Sequence, residues 1–109
     1  PIAASYFKRA SEAGYAPSTS MLAALSILKA SSATSKPQSE RQSLVSEALK
    51  DAKDAADRLD PHGMYLYGLG LQMWRPSQRA EAQTWMQRSA RQDFAPAIEW
   101  CKREGILAP

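Results

Sequence analysis

The sequence predicts an all-α fold in which antiparallel helix pairs stack as a short α-solenoid of five to six helices. Three observations carry this. Ala, Leu, Lys, Glu, Gln, Met and Arg dominate, β-branched residues are scarce, and no long run alternates apolar with polar residues as a half-buried strand would. Proline, glycine and aspartate punctuate the chain at short intervals, as helix starts and stops do. The chain also repeats itself: Ser5 to Ser18 aligns without gaps on Thr84 to Ala97, with Tyr6 on Trp85, Phe7 on Met86, Arg9 on Arg88, Tyr15 on Phe94 and Pro17 on Pro96. Pro61 marks a middle copy, which spaces the copies 44 and 35 residues apart. Periods of this size with two helices each are those of an α-solenoid, whose pairs bury their apolar faces on one another. A plain helical bundle with a chance repeat is the alternative arrangement.

The elements follow from local signals. A first helix is expected over 2–13, closed by Gly14, which adopts the left-handed backbone at low cost. Pro17 opens a second, reaching Ser31 with Met21, Leu22, Leu25 and Leu28 at helical spacing. The run from Ser31 to Ser39 reads as a flexible inter-helix linker, rich in Ser and closed by Pro37. Ser39 with Gln42 three residues on has the form of a capping box, starting a third helix that ends near Leu59. Asp60-Pro61 supplies an N-cap acceptor followed by the residue suited to the first helical position, and the fourth helix runs to Trp74. Ser77 is placed to cap a fifth helix to Gln92, and a last helix from Pro96 to Glu104 stops at Gly105.

A chain of 109 residues with 44% hydrophobic and 23% charged residues and a mean hydropathy of −0.45 reads as one soluble globular domain, 1–109. The longest charge-free stretch, Ala13 to Leu28, is broken by Gly, Pro, Ser and Thr and falls short of the ~20 apolar residues that span a bilayer, so no membrane insertion is expected. The net charge of +3 is spread, as in Lys50, Asp51, Lys53, Asp54, Asp57 and Arg58. That is a mixed-sign solvated face. A basic stretch such as Gln87 to Arg91 holds only Arg88 and Arg91, which disfavours nucleic-acid binding. A weak Arg-bearing face of Arg75, Arg79, Arg88 and Arg91 is the third functional possibility. The single Cys101 excludes an internal disulfide and leaves the compartment open. The start on Pro1 in mid-pattern reads as a cut from a larger protein or a processed precursor, and further repeats of the solenoid are expected on the N-terminal side.

The repeat resembles the Sel-one-like repeat (SLR), a relative of the tetratricopeptide repeat. Ala82, Trp85, Ser89, Ala90, Phe94, Pro96 and Ala97 fit the first part of that pattern, and Ala3, Tyr6, Ala10, Ser11, Gly14, Tyr15 and Pro17 fit it again. Gly63, Tyr67, Gly68 and Leu71 occupy the pattern's later Ala, Leu, Gly and Tyr positions. Gly68, and Ala24 at the same offset of 44, would let helix backbones approach while aromatics fill the space between layers. Three features depart from the pattern. Asp51 stands where the aromatic belongs, the middle copy is one residue short before Pro61, and Arg103 replaces a small residue, as a polar terminal cap would. The resemblance covers nearly all of the chain outside the linker, and it implies adaptor or assembly roles.

No enzyme signature survives inspection, and nothing calls for a cofactor or a metal. His62, the only histidine, falls in a helix's first turn, where a solvated or capping role is expected. Cys101 reads as a small buried apolar residue. Gly68-Leu69-Gly70 lacks the third glycine and preceding strand of a dinucleotide loop. Glu47, Asp51 and Asp54 share a face with interleaved lysines and read as i,i+4 surface pairs. On the fourth helix Gly63, Tyr67, Gly70, Leu71 and Trp74 form a core stripe, while His62, Tyr65, Leu69 and Gln72 form the roughly opposite one. Met21, Leu25 and Leu28 repeat the second stripe's character on the second helix. These seven residues are the candidate concave surface for a partner peptide or helix, the reading of a non-catalytic interaction scaffold. The alternative is a structural helical segment of a larger assembly or multidomain enzyme.

Overall fold

The computed structural model describes residues 16–106, so the helix expected over 2–13 lies outside the described residues. Five α-helices follow one another: α1 (Ala16–Ser31), α2 (Gln38–Asp57), α3 (Pro61–Trp74), α4 (Arg79–Arg91) and α5 (Ala95–Arg103), with a 3-10 turn over Pro76–Gln78. There is no strand among the described residues. Each helix packs on the next, and α1 also touches α3. Short connections force neighbours to run antiparallel, giving a short solenoid-like stack. The slab measures 37 × 32 × 17 Å, its thin dimension that of two packed helix layers.

The starts of α2 and α4 differ from expectation for one reason. Pro37 occupies the cap position of α2 without a side-chain cap bond, so Ser39 lies inside the helix and no capping box forms. Ser77 likewise sits within the 3-10 turn that Pro76 begins, and Gln78 precedes α4 without a side-chain cap bond. In both places a proline, with φ already near the helical value, starts the turn before the serine does. The segment read as a flexible linker over 31–39 is bonded at Ser32 N to Leu28 O, Ala33 N to Ala30 O and Lys36 N to Ala33 O, and it buries Ala33. The start of α3 matches its sequence signal: the Asp60 carboxylate accepts from the Gly63 N–H at 3.3 Å, with Pro61 at the first helical position.

Close packing explains the alanines. The buried face of α2 consists of Ala48, Ala52, Ala55 and Ala56, all fully buried. Such a face brings the backbones of α1 and α3 against α2. Alanine also costs no side-chain entropy. The first core cluster joins Ala23 and Ile27 of α1, Ala48, Ala52 and Ala56 of α2, Met64, Tyr67 and Leu71 of α3, and Ala82 of α4. A second cluster joins Met86 and Ala90 of α4 to Ala97, Trp100 and Cys101 of α5.

The burial pattern recurs along the chain. Ala48, Ala52, Ala55 and Ala56 of α2 correspond to buried Ala82, Met86, Ser89 and Ala90, 34 residues on. Leu59 and Asp93, also 34 apart, both hold positive φ, at 63° and 61°. Gly63, Leu66 and Tyr67 then match buried Ala97, Trp100 and Cys101. The spacing is 34 rather than the 35 read from the prolines, because Pro61 is the first residue of α3 and Pro96 the second of α5. At the interval of 44, Thr19, Ser20, Ala23 and Ile27 of α1 match Gly63, Met64, Tyr67 and Leu71, all buried.

Candidate functional site

The seven candidate residues divide into two groups. On α1, Met21 and Leu28 are exposed, at 41% and 63%, and Leu25 between them is half-buried. On α3, His62, Tyr65, Leu69 and Gln72 are half-buried. They face the start and body of α5. The His62 and Tyr65 rings lie 5.4 and 5.5 Å from that of Phe94, which leads into α5. Tyr65 and Leu69 pack on the second core cluster, and the Gln72 side-chain oxygen accepts from the Trp100 indole N–H at 3.1 Å. His62, half-buried, thus also packs on Phe94, a contact beyond the solvated or capping role expected of it.

Cys101 is buried, and burial pushes its thiol up, away from the reactive thiolate. Among the described residues, no three His, Cys, Asp or Glu gather where they could hold a metal ion. The ion pair found on α2 is Lys53 with Asp57 at 3.3 Å, both about half exposed, and it involves none of Glu47, Asp51 and Asp54. Such a pair contributes little. Asp51 departs from the expected surface pairing, since its carboxylate accepts from the Ser26 hydroxyl on α1 at 2.6 Å.

That contact accounts for the acid in the aromatic position. At the corresponding place in α4, Trp85 packs edge-on to Tyr67 at 5.7 Å, with the Arg88 guanidinium 4.9 Å over its ring. Between α1 and α2 the equivalent of Tyr67 is Ala23, so an aromatic at 51 would lack its partner and Ser26 offers a hydroxyl instead. Burial raises the Asp51 carboxyl above its ordinary 3.8, with Glu47 and Asp54 adding to it against the Ser26 bond. A carboxyl raised on folding stabilises the protein fully below the unfolded value and loses that contribution as pH climbs through the folded one. Asp51→Asn keeps an oxygen acceptor for Ser26 and removes the charge. Its melting temperature is expected to exceed that of the parent at pH 7 and to converge with it below pH 3.8. A pH series of thermal unfolding checks this, and a lower melting temperature at pH 7 would contradict it.

The four arginines do not form one cluster. Arg79 and Arg91 open and close α4, about 18 Å apart by helical rise. Arg88 is committed to Trp85, and Arg75 donates from Nη1 to the Trp74 carbonyl at 2.9 Å. Arg75 instead lines a groove of about 650 Å³ with Trp74, Arg41, Gln42 and Val45, at the end of the slab where α1 stops and α2 starts. Sequence reasoning missed this feature because three elements build it. One signal was available: Arg41 and Arg75 are themselves 34 residues apart.

No described helix is long and apolar enough to cross a membrane. Comparison with protein-family models, with curated proteins and with solved structures finds no match to this chain.

Proposed function

We propose that the chain is a non-catalytic protein–protein interaction scaffold, a short solenoid of Sel-one-like helix pairs that holds a partner peptide or helix on α1. The observation that supports this reading is the stripe of Met21, Leu25 and Leu28, spaced four and three residues apart on one helix face, with its two outer members exposed. Apolar anchors at this spacing suit an amphipathic helix or an extended peptide. The test has two stages. A partner is first captured with the full parent protein and identified, then purified and titrated against the chain. Met21→Ser with Leu28→Ser is expected to weaken that binding about tenfold while leaving the melting temperature unchanged, since both side chains are exposed. A purified partner that binds the double variant as tightly as the parent refutes this surface.

A second reading, a structural helical segment of a larger assembly, draws on the α3 stripe. His62, Tyr65, Leu69 and Gln72 lie against Phe94, Trp100 and the second core cluster, so flanking chain fills the place where a partner would sit.

A further inference from the structure

The groove at the end of α1 carries two guanidinium groups, Arg41 and Arg75, and no carboxylate lines it. Its volume, about 650 Å³, lies within the range of ligand sites. Two C-terminal helix ends and one N-terminal end meet here. The two C-terminal ends outweigh the one N-terminal end, so the helix dipoles leave a small negative contribution and the positive field of the groove comes from the two arginines alone. Arg75 spends one N–H on the Trp74 carbonyl, which anchors the guanidinium and leaves further donors on it. Trp74 and Val45, both half-buried, give an apolar wall, and Gln42 and Ser46 give exposed amide and hydroxyl groups.

We infer that this groove binds an acidic peptide segment of a protein partner, its Asp or Glu carboxylates on Arg41 and Arg75 and an apolar side chain against Trp74 and Val45. The inference rests on the scaffold reading above and gives it a second contact surface of stated chemistry. Charge complementarity selects the carboxylates, which match the guanidinium fork in shape as well as sign. The groove is open to solvent, so it suits an extended chain better than a small molecule that needs enclosure on most sides. Two cations also fall short of the several phosphates a nucleic-acid binder neutralises.

The probe is a fluorescein-labelled, C-terminally amidated peptide of alternating glutamate and phenylalanine, titrated against the whole chain by fluorescence anisotropy. Its glutamine isostere and a single-stranded oligonucleotide form the other arms. The glutamate peptide is expected to bind, to weaken as salt rises, and to exceed its isostere about tenfold. Arg41→Gln is expected to weaken it about threefold at an unchanged melting temperature, and Arg41→Gln with Arg75→Gln about tenfold. Arg41 is exposed, so its variant tests the groove even where Arg75→Gln disturbs the end of α3. Equal binding of the isostere, indifference to Arg41→Gln, or tighter binding of the oligonucleotide overturns the inference. If the glutamate peptide fails while a purified partner still depends on Met21 and Leu28, the groove inference falls and the scaffold reading stands. Dependence on Arg41 without dependence on Met21 and Leu28 keeps the groove and refutes the α1 surface.

Discussion

Gly63→Ala is expected to destabilise the protein by about 3 kcal/mol, which for a domain of this size lowers the melting temperature by on the order of 15 °C. A Cβ built at Gly63 would stand 2.5 Å from the Ala55 Cβ, 2.6 Å from the Ala55 carbonyl carbon and 2.9 Å from its oxygen. Two of those atoms are backbone. No rotamer change can clear them, and the start of α3 must lift off α2. The lift would also strain the Asp60 cap, whose carboxylate holds the Gly63 N–H. Alanine's helix propensity, about 1 kcal/mol above glycine's, offsets only part of this. Gly70→Ala is the control. Its Cβ would meet the Leu49 Cδ2 at 2.8 Å, the far end of a half-buried flexible side chain, and that clash is relieved by rotation. Gly70→Ala is therefore expected to melt within a few degrees of the parent. Thermal unfolding of the two variants side by side decides the matter, and equal damage from both would refute close packing at Gly63 as the cause.

Legibility in the sequence followed the range of each interaction. The all-α class and the extent of α3 were legible because they rest on composition and on Asp60-Pro61, signals held within a few residues. The starts of α2 and α4 were misplaced by a residue or two, because Ser39 and Ser77 each compete with a nearby proline and the sequence does not rank the two. Helical period placed His62, Tyr65, Leu69 and Gln72 on one face of α3 correctly. What covers that face depends on where α5 returns, a matter of contacts such as Gln72 to Trp100 across 28 residues. The same holds for Asp51, whose departure from the aromatic pattern makes sense only once Ser26 stands opposite. The groove was the least legible feature, since no single element contains it.

Met86→Ala is expected to cost about 3 kcal/mol, the figure for removing a large, fully buried side chain from a core that relaxes only in part. Met86 fills the space that Gly68 leaves: a Cβ at 68 would lie 3.1 Å from its Cγ and 3.2 Å from its Cε. The two positions should therefore couple. Gly68→Ala alone is expected to cost about 1 kcal/mol, because the methionine must shift and the Ala82 carbonyl, at 3.2 Å, gives way less readily. In the Met86→Ala background the new methyl enters part of the void, and the double variant is expected to be about 1 kcal/mol more stable than the sum of the single effects. Recovery stays partial, since the contact with the Ala82 oxygen is unchanged. A double-mutant cycle by denaturant unfolding measures this coupling, and strict additivity would refute the complementarity of Gly68 and Met86. The chain holds this combination elsewhere: Ala24 and Ala52 occupy the positions equivalent to Gly68 and Met86, at intervals of 44 and 34. There Ala52 is fully buried and Ala24 packs on the same core cluster. An alanine pair is thus compatible with the stack when the helices settle to its spacing, and the glycine–methionine pair holds α3 and α4 to theirs.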